Sequence, residues 1–171
     1  MSNTVLPLVA MLALAFPPVT RGQTASAPSC TAPEYHQFDF WLGNWTVHRP
    51  DGRLAGTNRI TREFKGCVLH EHWAGHGGSN GESFNIYDAA RGRWHQTWVD
   101  DSGTLLTLDG GLVGTSMVLS GVQIGSGGAR TTERITWTPN NDGQVRQLWE
   151  SSPDGGKTWT VQFDGLYTRK E

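Results

Sequence analysis

The chain has 171 residues, enough for one domain with a substantial core. Its 14 Lys and Arg against 16 Asp and Glu give a formal charge of −2 and no basic stripe to follow a phosphate backbone, so nucleic acid is not an expected partner. Glycine at 22 residues and tryptophan at 8 suit a β-protein with many turns and an aromatic lining.

Leu6 to Val19 is an apolar run too short to span a bilayer, and the small and polar segment "TRGQTASAPS" follows it. The pattern matches a secretory signal peptide over residues 1–25, which predicts an extracytoplasmic mature chain with no membrane segment. Residues 26–37 then form an N-terminal extension and 38–170 the folded domain. In an oxidising compartment the two cysteines, Cys30 and Cys67, invite one bridge, with two free thiols as the alternative. Lipidation of Cys30 is disfavoured, because "SAPSC" lacks the bulky apolar residue expected three places before it.

Glu34 to Trp41 is the one short helical piece the sequence offers. From there on, extended runs alternate with turn signals. "WLGNWTVH" turns at "RPDGR" into "TNRITREF"; "CVLHEHWAG" breaks at "GGSNG" before "SFNIYD"; "RWHQTWVD", "TLLTLDG" and "SMVLSG" follow in close order. "TTERITWTP", "QVRQLWESS" and "TWTVQFDGLYTR" complete about ten strands. A sequential antiparallel series of this length is expected to close into an up-and-down barrel, which leaves no unpaired edge; a two-sheet sandwich is the competing arrangement. "SPDGGKTW", Ser152 to Trp159, has the SxDxGxTW pattern of an Asp-box, a folding device in a hairpin. It occurs once, without a blade repeat, so it does not signal a propeller.

Period-2 alternation sorts each strand into two faces. Trp41, Gly43, Trp45 and Val47 share the inner one in the first strand. In the third, Leu69 and Trp73 outweigh Val68 and Ala74, which turns Glu71 inward and His70 and His72 outward. Trp94, Gln96 and Trp98 share a face in the fifth strand, and Val145, Gln147 and Trp149 in the ninth. A packed core would not choose carboxyl and carboxamide groups, because each buried without a partner costs about 1 to 3 kcal/mol. Indoles around a few polar groups are instead the composition of a small-molecule pocket. The expected ligand-binding set is Glu71, Trp73, Asn85, Trp94, Gln96, Trp98, Gln147 and Trp149, with a satisfied internal hydrogen-bond network as the alternative.

Taken in order, "FDFWLGNW", "GCVLHEHW", "SFNIYD", "RWHQTWVD" and "FDGLYTR" resemble a bacterial family of uncharacterised exported proteins with lipocalin-like barrels. Gly43 and Trp45 are similar to the GxW of the lipocalin and wider calycin signature, and the resemblance implies that Arg169 packs on that Trp. Related nitrobindin-like barrels hold haem through a histidine late in the chain. No histidine follows His95 here, so haem is disfavoured.

Zinc is also disfavoured: His70, His72, His76 and His95 could converge only under strict geometry, and outward histidines on a sheet are usually solvated or paired with carboxylates. Glu71 is a candidate general acid or base in a partly dry cavity, but no GxSxG, phosphate loop or matched thiol and histidine accompanies it. The expected function is therefore binding of a small, partly apolar molecule, with no cofactor. An enzyme using Glu71, or a barrel with no ligand, is the alternative.

Overall fold

A computed structural model describes Met1 and residues 30–170; the signal-peptide reading lies outside the described residues. Ten strands follow one another: β1 (Gly43–His48), β2 (Leu54–Glu63), β3 (Val68–Gly75), β4 (Asn80–Asp88), β5 (Arg93–Asp100), β6 (Leu105–Val113), β7 (Ser116–Ile124), β8 (Arg130–Pro139), β9 (Val145–Ser152) and β10 (Thr160–Arg169). Each pairs antiparallel with its sequence neighbour, and β10 returns to β1, with Trp45 opposite Arg169 and Val47 opposite Tyr167. The sheet is a closed barrel, not a sandwich. Closure satisfies the ladder groups that an open sheet would leave at its edges.

The expected helical piece divides into two short 3-10 turns, Pro33–His36 and Asp39–Trp41, because Phe38 between them leaves the helical region at φ −106°, ψ 11°. Trp41 thus precedes the first strand instead of belonging to it. It and Phe38 plug one end of the barrel: both are fully buried, their rings stack at 4.9 Å, and Phe38 meets Trp94 and Trp137 edge-on at 5.7 and 5.1 Å. Phe38 thus contacts three indoles at that end, and Trp41 also meets Trp137 at 5.3 Å, with edge-to-face pairs adding roughly 0.5 to 1.5 kcal/mol each beyond the buried area.

Cys67 also precedes its strand. It caps a tight turn at Phe64–Gly66 in which Phe64 and Lys65 adopt φ of 48° and 59°. There it bonds Cys30, with 5.0 Å between the Cα atoms. The bridge ties the segment carrying the plug to the β2–β3 connection at the same end of the barrel. The odd-numbered connections, β1–β2, β3–β4 and so on to β9–β10, all lie at the other end.

The β9–β10 connection is the Asp-box. Asp154 Oδ1 accepts from the amides of Lys157 and Thr158 at 3.0 and 2.9 Å and from the Ser152 hydroxyl at 2.8 Å, while Thr158 Oγ1 donates to Oδ2 at 2.7 Å. These donors hold the Asp154 carboxyl at about 2, led by the Thr158 amide. The Trp159 indole donates to Gly156 O at 3.1 Å, and the Arg134 guanidinium lies 3.8 Å from the centre of its ring. The motif is a fixed turn built from its own side chains.

Candidate functional site: a polar-floored cavity in the barrel

Toward the end opposite the plug, the barrel interior holds a cavity of about 300 Å3. Alternation places its lining as the strand patterns require: Glu71 and Trp73 from β3, Gln96 and Trp98 from β5, Gln147 and Trp149 from β9, all inward. Two expected members are elsewhere. Trp94 is a plug residue, packed on Phe38 and donating its indole proton to Gln37 at 3.2 Å. Asn85 is fully buried but does not line the void; Gln96 and Ser83 lie against its amide. Period-2 spacing gives the face of a residue but not its depth along the barrel axis, and these two lie too near the plug.

Tyr167 and Phe163 of β10 line the cavity and were not anticipated, nor was Arg49 beyond β1. Phe163, Gly165 and Tyr167 alternate along β10, which was the available signal, as were Gly56, Asn58 and Ile60 in β2. The glycines matter where rings lie flat. A Cβ at Gly81 would stand 2.3 Å from the Trp98 ring, so only glycine lets that indole rest against the β4 backbone.

Glu71 organises the floor. Its Oε1 accepts from Asn58 Nδ2 at 2.7 Å and its Oε2 from the Ser83 hydroxyl at 2.6 Å. Asn58 Nδ2 also reaches Tyr167 Oη at 3.3 Å, and the tyrosine hydroxyl donates to Gln147 Oε1. On the other side, Asn85 Nδ2 donates to Leu69 O at 3.2 Å and to Ser83 Oγ at 2.9 Å, and Asn85 Oδ1 accepts from Gln96 Nε2 at 2.8 Å. Burial pushes the Glu71 carboxyl up to about 7 against the pull of the Ser83 and Asn58 bonds, and burial followed by the Glu71 charge raises the Tyr167 phenol.

The network is well connected but not complete. Asn58 Oδ1 and Gln96 Oε1 are buried acceptors, and the plug indoles Trp41 Nε1 and Trp137 Nε1 buried donors, with no partner from protein; of the four residues, Gln96 lines the cavity. A self-satisfied hydrogen-bond network would not leave the Gln96 acceptor open at the wall of a void.

The indoles around the floor are themselves anchored by carboxylates. Trp149 Nε1 donates to Glu133 Oε2 at 2.6 Å and Trp98 Nε1 to Asp100 Oδ2 at 3.2 Å. Burial works against the Asp100 charge, but bonds from the Ser102 hydroxyl, the Thr104 amide and the Trp98 indole hold its carboxyl at about 2. Trp73 meets Phe163 edge-on at 5.8 Å.

On the outer wall, His70 Nε2 and His72 Nδ1 lie 3.0 and 3.1 Å from the two carboxylate oxygens of Glu82 on β4. This trio is a carboxylate-paired histidine couple with one His70 face on Phe84, 4.2 Å between ring centres. Its ligand atoms lie within 4.8 Å of one another, one donor short of a closed zinc site. His95 is not part of it; its ring bonds Asp109 and Thr97 at 2.9 Å each.

Fold and site together define a closed ten-strand antiparallel β-barrel with an internal cavity, consistent with the lipocalin-like arrangement of calycins. No protein-family model matches the chain, and no curated protein matches it. Among the described residues no helix is long and apolar enough to cross a membrane.

Proposed function

We propose that the protein binds a small, partly apolar organic molecule in the barrel cavity, outside the cytoplasm. The observation that carries this reading is the unpaired Gln96 Oε1 at the wall of a void that also presents the Glu71 carboxyl and three indoles. Polar groups of this kind are worth burying only if something in the void completes them. The Cys30–Cys67 bridge and the apolar run at Leu6 to Val19 support export, since such bridges persist in oxidising compartments.

Native mass spectrometry of the freshly purified mature chain tests the proposal. The expected result is a retained mass that Trp98→Ala loses while its circular dichroism stays that of the folded barrel. An unliganded wild-type chain that also takes up no aromatic probe in a tryptophan-quenching titration overturns it. Acid or base catalysis by Glu71 is the second reading, favoured by a carboxyl held at about 7. It requires the retained molecule to be converted on incubation, and not merely held.

A further inference from the structure

The orientation of the floor amides follows from one backbone atom. Leu69 O can only accept, so the Asn85 group that reaches it is the Nδ2 donor, and Asn85 turns its Oδ1 toward Gln96. Gln96 must answer with Nε2. Its Oε1 is then left as an acceptor without a donor, 2% exposed, at the cavity wall.

Glu71 shows the same polarity. Both of its oxygens receive protons, from Asn58 and from Ser83, as suits a carboxylate. It makes no ion pair among the described residues. Among the described residues the only basic side chain lining the cavity is Arg49, which stands in the β1–β2 connection and feels Asp51. A buried carboxylate with no countercharge is costly, and a ligand cation removes that cost.

The walls suit a cation as well. Trp98 and Trp149 each give their indole proton to a carboxylate, Asp100 and Glu133, which places negative charge at the ring edges and strengthens the negative potential of the ring faces.

We propose that the cavity selects a protonated amine, its N–H donors received by Glu71 and Gln96 Oε1 and its apolar skeleton lying among Trp73, Trp98 and Trp149. The proposal rests on the binding function above and names the chemistry of its ligand. Three probes of one size separate it from other ligand classes: 2-phenylethylamine, the neutral 2-phenylethanol and the anionic 3-phenylpropanoate, each titrated into the mature protein by calorimetry and tryptophan quenching.

At pH 8 the amine is expected to bind at least about tenfold more tightly than the alcohol, with the acid weakest of the three. Between pH 8 and 5.5 the amine stays charged, so loss of its advantage on acidification reports on the protein. The charged and titratable groups that line the cavity with Glu71 are Tyr167 from β10 and Arg49, with Asp100 and Glu133 behind the indoles of β5 and β9. Glu71→Gln is expected to abolish the preference, read as the ratio of amine to alcohol affinity in the folded variant. Gln96→Leu, which removes the free acceptor and leaves the carboxyl, is expected to reduce the preference several-fold, and serves if Glu71→Gln does not fold.

Tighter binding of the acid or the alcohol, or an amine preference that is undiminished in the folded variants, overturns the proposal but leaves the binding function standing. Failure of all three probes, with no mass retained from the cell, overturns both.

Discussion

Arg169 at the end of β10 lies over the ring of Trp45 in β1, its guanidinium carbon 4.6 Å from the ring centre, and donates from Nη1 to Leu42 O at 3.2 Å. The same indole donates to Trp41 O at 2.9 Å. First strand, last strand and plug are thus joined through one tryptophan. Gly43 makes room: at φ +137° it occupies backbone space that L side chains rarely enter, and a Cβ there would stand 2.6 Å from Arg169 Nη1.

Arg169→Ala is expected to cost about 1 to 2 kcal/mol, the sum of an exposed cation–π contact and one charged hydrogen bond. Trp45→Ala is expected to cost about 3 to 5 kcal/mol, since the indole is fully buried. Urea unfolding of the two single variants and the double variant measures both. An Arg169→Ala cost that is undiminished in the Trp45→Ala background would show that the stacking contributes nothing, since the bond to Leu42 O does not need the indole.

The Glu71 carboxyl sets a pH dependence. It holds its proton up to about pH 7 in the folded barrel, against an ordinary 4.5. Between those values the folded state binds more protons than the unfolded, so its contribution to stability is full below about pH 4.5 and is lost as pH rises through 7. The size is on the order of 3 kcal/mol, from the shift at about 1.4 kcal/mol per pH unit. Glu71→Gln is expected to flatten this segment of the stability profile and to exceed the wild type in stability at pH 8. A wild-type profile flat from pH 5 to 8 in the ligand-free protein would contradict the burial argument.

The disulfide closes a loop across 37 positions and is expected to contribute about 4 kcal/mol in the chain-entropy account. Reduction, or Cys30→Ser with Cys67→Ser, should lower Tm by ten degrees or more on the scale of about 4 °C per kcal/mol for a domain of this size. Because the bridge lies at the plug end, exchange protection should fall first at Phe38 and Trp41 and last in β7 and β8. Uniform loss of protection would show that the bridge acts on the unfolded chain alone.

Much of the fold was legible because its determinants are local. Alternation sorts the two faces from neighbouring residues alone, and the apolar bulk of Leu69 and Trp73 over Val68 and Ala74 then placed Glu71 and Trp73 inward and His70 and His72 outward without any knowledge of the sheet. Turn residues gave the ten strands, and sequential antiparallel order made closure the economical arrangement. Depth was not legible in the same way. Trp94 and Trp98 share a face and residue type, yet one is sealed under Phe38 and the other lines a cavity four residues further along β5.

The sequence by itself determined a ten-strand antiparallel domain with an aromatic and amide interior, because strand periodicity and turn chemistry are written in consecutive residues. Only the tertiary structure decided that Phe38 and Trp41 stopper one end, that Asn58, Ser83 and Tyr167 complete the floor around Glu71, and that Gln96 Oε1 is left without a donor. Those relations join residues as much as 109 positions apart, and barrel closure and register set their distances.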